Sequence, residues 1–170
     1  MTREEDALPT QPASSPVSAA ANQRSDAADP THLVVVLDGC DFIGRLEVSK
    51  APRTCAAICA RLPFTNSVIQ ARWSGEAAWI PLGGLDLGVG EENATSRPLP
   101  GQILLYPGGL SEAEILVPYG VSEFRCKAGV LRGNHFLTID SHLDRLADIG
   151  EQILWKGAHE IQFKLRPSGA

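Results

Sequence analysis

From residue 32 onward, apolar and polar residues alternate as in a succession of short strands, interrupted by two stretches of helical period. HLVVVLDG (32–39) is a β-branched strand closing on the turn signal Asp38-Gly39, and DFIGRLEVS (41–49) is its hairpin partner. In KAPRTCAAICARLP (50–63) the period changes: Cys55, Cys59 and Leu62 lie at i, i+4 and i+7, one buried stripe of a helix. Pro52 suits its first turn, Ser49 is a candidate cap a little upstream, and Pro63 stops it. NSVIQARWSGEAAWIPLG (66–83) reads as a second hairpin reversing at Ser74-Gly75. GGLDLGVGEENATSRPLPG (83–101) has no period and reads as a loop, long enough to hint at function. QILLYPGG (102–109) and EILVPYG (114–120) pair as apolar strands, and GNHFLTID (133–140) follows as another. SHLDRLADIGEQIL (141–154) places Leu143, Leu146, Ile149 and Ile153 on one helical face behind Ser141 as N-cap, and HEIQFKL (159–165) closes as a strand.

About eight short strands with only two helices predict a mainly β fold. A closed barrel removes the exposed edges, and the helices then cap its two ends; from pattern alone a sandwich fits nearly as well. Residues 1–30 contain almost no large apolar side chains, cannot offset their ordering entropy by burial, and read as a disordered tail. The barrel domain is expected over residues 31–166, with residues 167–170 as a C-terminal tail.

Composition narrows the function classes. The formal charge of −5 includes five acids against two arginines in residues 1–30, which leaves only −2 for the remainder. No basic stripe marks a nucleic-acid or anionic-lipid partner, and no run of 18 apolar residues spans a membrane. The first twenty residues lack the basic-then-apolar order of a secretory signal. Cys40, Cys55, Cys59 and Cys126 form no CxxC pair, which suits buried thiols in a reducing, cytoplasmic setting.

The motif order carries a resemblance. GRLEVSKAPRTCAAICARLPF (44–64) resembles the opening of cyclophilins, where a strand pair leads through Ala-Pro-x-Thr into a helix ending near Leu-Pro. ARWSGEAAWIPL, EENAT, PGQILLYPGG, ILVPYG and GNHFLTI resemble, in this order, a bacterial family of uncharacterised cyclophilin-like proteins. The resemblance covers roughly residues 33–165 and implies a closed cyclophilin-like β-barrel of about eight strands with two capping α-helices. It supplies no established reaction. The Phe-His-Arg strand and Gln-Gly-Gly-Asp turn that build the cyclophilin proline pocket are missing, and the only methionine is Met1. Prolyl isomerisation is therefore disfavoured.

Candidate chemistry concentrates on the second hairpin. With Ser74-Gly75 as a two-residue loop, Trp73 opposes Glu76, Ala71 opposes Ala78 and Ile69 opposes Ile80, all on one mostly apolar face. That face would line the barrel with Trp73 and Glu76 at its mouth, where an indole beside a carboxylate raises its pKa. Arg72 and Trp79 would share the opposite face, as a stacked pair or an anion contact. Glu92 and Asn93 in the long loop match the family's Glu-Asn pattern, and Tyr106 ends a buried strand before Pro-Gly-Gly. Glu112 and Glu114 flank the start of the next strand, and His135 alternates with Leu137 and Ile139 on an apolar face. Solvated acids and an ordinary core histidine are the plainer readings of these positions. No HxH, HExxH or nucleophile-elbow spacing occurs, so neither a metal nor a cofactor is expected.

The first expectation is a small-polar-metabolite site at the barrel mouth, with Glu76 or His135 as catalytic acid or base. Arg72, Trp73, Trp79, Glu92, Asn93, Tyr106 and Glu114 would contact the ligand. The alternatives are prolyl isomerisation, from fold alone, and a non-catalytic interaction module or homo-oligomer.

Overall fold

The computed structural model describes residues 29–167. The expected tails lie outside this range, apart from Pro167 and from Asp29 and Pro30, which begin the first strand. Strands β1 (Asp29–Leu37) and β2 (Cys40–Leu46) form a hairpin about Asp38-Gly39. Both turn residues have positive φ (51° and 71°), the requirement of a two-residue type I′ loop, so the turn read from sequence is the turn observed. There follow α1 (Pro52–Cys59), β3 (Phe64–Gln70), β4 (Gly75–Gly83), β5 (Ala94–Thr95), β6 (Gln102–Tyr106), β7 (Ala113–Ser122), β8 (Arg125–Cys126), β9 (Gly129–Val130), β10 (Gly133–Ile139), α2 (Leu143–Lys156) and β11 (His159–Arg166).

Eight strands run antiparallel in the order β2-β1-β11-β3-β4-β7-β6-β10, and β10 pairs back onto β2 to close the barrel. The seam needs a glycine. A Cβ at Gly44 would stand 2.8 Å from the Leu137 side chain, so the leucine occupies the space a larger residue would fill. The short β5 adds to β10 within the long loop, and β8–β9 is a separate small hairpin.

Alternate residues of the barrel strands fill its interior. Leu33, Val35, Leu37, Phe42, Ile80, Ile103, Phe136 and Phe163 belong to one buried cluster, with Phe64 stacked on Phe163 at 4.8 Å. Cys55 and Ile58 of α1 and Leu146, Ile149 and Ile153 of α2 join it, so both helices turn their apolar stripes inward. Gly150 of α2 lies so close to the Tyr119 ring that a Cβ has no room. Neither helix uses the serine expected to cap it. α1 starts from Ala51, and α2 from His142 in a left-handed conformation, without side-chain caps of their own.

A second, smaller cluster lies outside the ring. Ala77, Leu104, Tyr106 and Leu116 project from the outer wall of β4, β6 and β7, and Phe124 and Leu131 fold over them from the segment that carries β8 and β9. Among the described residues no helix is long and apolar enough to cross a membrane.

Leu146, 2% exposed, inserts from α2 into the interior cluster. Leu146→Ala is expected to lower unfolding free energy by about 2–5 kcal/mol in urea titrations. A change near zero would mean that the interior collapses around the missing side chain.

Candidate functional site

The second hairpin differs from the two-residue loop expected of it. Ile69 pairs with Trp79 and Gln70 with Ala78, and the Ala71 N–H donates to the Ala77 carbonyl at 2.8 Å. The connection is therefore longer, and the register is displaced by one residue. Side chains alternate across a strand, so a one-residue slip turns one arm over. On β4, Ala78 and Ile80 point inward as expected, and Ala77 and Trp79 outward. On β3 it is Val68 that points inward, while Ile69 joins Trp79 on the outer wall.

Ser74 is the physical reason for the longer turn. It is only 3% exposed, and its hydroxyl accepts from the Arg125 N–H (3.1 Å) and donates to the Arg125 carbonyl (3.2 Å). The Glu123 N–H also donates to the Ser74 carbonyl at 3.1 Å. The turn is thus clamped to the β8–β9 segment instead of standing free as a hairpin tip.

Between the two lies a cleft of about 420 Å³ on the outside of the barrel wall. Four of the residues picked from sequence line it: Arg72, Trp73, Trp79 and Glu114. Ile69 and Leu116 extend its apolar wall, and Arg125, Cys126 and Lys127 come from the hairpin that covers it. Trp73 is 50% exposed at the margin, Arg72 and Lys127 are exposed, and Glu114 lies below them at 6% exposure. Arg125 is held by Glu123 at 2.7 Å. Among the described residues neither carboxylate oxygen of Glu114 has a hydrogen bond or ion pair. Burial, with a smaller push from Glu112, raises its pKa to about 7.

Tyr106 stands opposite Glu114 across β6 and β7 but lines an adjoining groove of about 370 Å³, separated from the cleft by Leu110. Its hydroxyl accepts from the Leu110 N–H at 2.8 Å, and its ring meets Phe124 edge-on. It supports the wall and the loop beside it.

The other expected residues lie elsewhere. Glu76 lines neither the cleft nor the groove. Its carboxylate accepts from the Val121 N–H at 2.6 Å, at a register shift between β4 and β7. The barrel-mouth placement of Trp73 with Glu76 is therefore corrected: the slip sends Trp73 to the outer cleft, and Glu76 braces a strand edge. His135 also leaves the face assigned to it. A bulge between His135 and Leu137 breaks the alternation and sets His135 opposite Leu104, which packs in the outer cluster. Its Nε2 lies 2.9 Å from the Thr138 hydroxyl, which donates to Glu47 at 2.7 Å. Since that hydroxyl proton is committed to a carboxylate, Nε2 is the protonated nitrogen. Burial lowers the His135 pKa despite Glu47 nearby, so the ring is neutral at pH 7.

Glu92 and Asn93 fasten the long loop. Glu92 Oε1 accepts from the Thr54 N–H (2.5 Å) and hydroxyl (2.8 Å), capping α1 from 38 residues away, and Arg53 pairs with the other oxygen at 3.5 Å. Asn134, fully buried, accepts from the Glu92 N–H and donates to Thr54 and Gly90. Asn93 donates to the His135 carbonyl at 2.8 Å. Burial works to raise the Glu92 carboxyl, but the Thr54 hydrogen bonds and the Arg53 charge outweigh it and hold the pKa below the usual range. The Cys55 thiol, pushed up to about 12 chiefly by burial, is no nucleophile at pH 7. No group of three His, Cys, Asp or Glu side chains among the described residues converges as a metal site.

Ser74, Arg125 and Lys127 are absent from the sequence-based candidates. The alternation of Phe124 and Cys126 with these cations, before Ala128-Gly129, was the available sign of a small hairpin.

The molecule is a closed antiparallel barrel with a lateral cleft over Glu114. The chain belongs to the family described as protein of unknown function (DUF3830), whose model matches residues 34–165. Among solved structures it is similar to McbB in complex with tryptophan, at 15% identity and TM-score 0.59, covering 81% of this chain. The chain spans 45% of the length of that structure, and the likeness shows the barrel fold. The solution structure of the hypothetical protein AF2241 from Archaeoglobus fulgidus aligns at 14% identity and TM-score 0.43, over 82% of this chain and 98% of that one. No curated protein sequence matches.

Two carboxylates should leave opposite marks on stability against pH. Glu114, raised in the fold, stabilises fully below its unfolded pKa, and that stability is lost as pH climbs through about 7. Glu92, lowered in the fold, stabilises above its unfolded pKa and loses this as pH falls. Urea midpoints measured across pH should show Glu114→Gln flattening the neutral limb and Glu92→Gln the acid limb. Glu92→Ala should in addition cost about 0.5–2 kcal/mol at pH 7, as the loss of a helix cap does.

Proposed function

We propose that this protein binds a small organic molecule in the outer cleft and that Glu114 exchanges a proton with it. One observation carries the reading: Glu114, 6% exposed as a residue and without a hydrogen bond or ion pair among the described residues, presents its carboxyl to a cleft open to solvent. Drawing an acid largely out of water without a partner is unfavourable, and a ligand that completes its hydrogen bonds offsets that cost. A carboxyl that titrates near 7 is also matched to acid–base work at neutral pH. Trp73, Trp79 and Leu116 supply the apolar surface that small-molecule sites require, and the cleft falls within their usual volume range. The proton-handling role first sought at Glu76 or His135 passes to Glu114, because those two residues line neither cleft nor groove.

The order of the strand, helix and loop motifs further supports a cyclophilin-like barrel, and four free cysteines are in keeping with a reducing cytoplasm. Prolyl isomerisation is not the activity proposed. A prolyl ring needs an apolar cup, and this cleft sets a titrating acid beneath its aromatic wall. A proline-peptide isomerisation assay is expected to give no turnover above background; robust turnover lost in Arg72→Ala would reverse that conclusion.

A thermal-shift screen against a broad metabolite set tests binding directly, since a ligand at a hundred times its Kd adds about 2.7 kcal/mol of stability. Glu114→Gln, nearly isosteric, should weaken any cleft ligand about tenfold or more by titration calorimetry while leaving the fold intact. A ligand that binds both proteins equally would end the assignment of Glu114 to the site.

A further inference from the structure

Resting on the cleft as the binding site, we propose that its ligand is a small monocarboxylic acid with a flat apolar body and a hydroxyl or amino group near the carboxylate. The cleft is polarised. Arg72 enters from the β3–β4 turn and Lys127 from the β8–β9 turn, both exposed at the rim, and among the described residues neither forms an ion pair. Arg125 is different, because Glu123 already neutralises it. Two unpaired cations on facing segments give this cleft a positive rim, although the chain as a whole carries −5. Below them the sign reverses: Glu114 is buried without a hydrogen bond or ion pair among the described residues, and Glu112 lies near enough to oppose its ionisation.

A molecule that satisfies both ends has one negative group toward Arg72 and Lys127 and one proton-donating group toward Glu114. An ammonium pairs with the carboxylate, and a hydroxyl donates to the ionised acid or accepts from the protonated one. The body carried beside these two groups lies against Trp79, with Ile69 and Leu116 behind it, which selects an aromatic or branched apolar group. A phosphate or a dicarboxylate fits less well, because it brings a second negative charge toward Glu112 and Glu114. A plain amine leaves the rim cations unanswered.

Fluorescence titration of the Trp155→Phe protein isolates the cleft, because its remaining indoles, Trp73 and Trp79, both line it. The probes are phenyllactate, phenylpropanoate, which lacks the hydroxyl, and phenylethanol, which lacks the carboxylate, within a panel of aromatic and branched hydroxy and amino acids. Phenyllactate should bind about tenfold or more tightly than either truncated probe. The double variant Arg72→Ala, Lys127→Ala should abolish its advantage over phenylethanol. Glu114→Leu, whose side chain neither donates nor accepts a hydrogen bond, should abolish its advantage over phenylpropanoate. Both rim residues are exposed, so the double variant reads binding without disturbing the core. Equal binding of the three probes, a preference for phenylethanol, or silence from the whole acid panel overturns the ligand class. A ligand without a carboxylate that quenches these indoles and depends on Glu114 overturns the class alone and leaves the binding site standing. The absence of any Glu114-dependent ligand overturns both.

Discussion

Pairing of β2 with β10 closes the sheet, and most other features answer to that closure. A closed ring has an inside that side chains must fill and an outside that faces water unless something covers it. The inside is filled by alternate strand residues and by the apolar stripes of both helices. Outside, Leu104 and Leu116 project from adjacent strands as an apolar patch, which the segment carrying Phe124 and Leu131 covers in part. The cleft is the uncovered remainder. It is bounded on one side by the Ser74 clamp and on the other by Leu110, and it owes its apolar floor to the wall beneath.

Two buried acids, Glu47 and Glu114, and the half-buried Glu92 show how differently the same group can be treated. Glu92 receives two hydrogen bonds from Thr54 and a pairing with Arg53, and Glu47 receives Thr138 and Arg45. For both, burial alone would raise the pKa, and the partners outweigh it. These are the fastenings of α1, the long loop and β10. Glu114 has no such company, and its pKa moves the other way. Among these three carboxylates, the presence or absence of hydrogen-bonding and cationic partners thus decides the direction of the shift.

Much of the fold was legible because local signals agreed with one another. Asp38-Gly39 demanded positive φ and received it, and the Leu146, Ile149 and Ile153 stripe of α2 is the face that packs. The two helix caps were misread for opposite reasons. α1 is capped by Glu92, which no local window contains, and α2 starts from a left-handed His142 without a cap. Four of the candidate residues line one cleft, but it is not at the barrel mouth. Trp73, Trp79, Arg72 and Glu114 do meet, yet on the outer wall, because a buried Ser74 lengthened the turn and turned β3 over. Period-2 reasoning has no means of detecting a one-residue slip whose cause is a contact with Arg125, far along the chain. His135 was misplaced likewise, by a bulge that alternation does not announce.

The seam has a kinetic consequence. Leu46 meets Leu137, and β1, the first strand, pairs along its length with β11, the last. Contacts so distant in sequence form only after most of the chain's loop-closure entropy has been lost, so little of the barrel can assemble by zipping neighbouring hairpins. A topology of this kind belongs with slow two-state folders, in roughly the millisecond-to-second range. Until the ring closes, β2 and β10 each present an unpaired backbone edge. The nascent chain is then most exposed to strand-addition by another copy, a hazard that ends when Leu137 settles over Gly44.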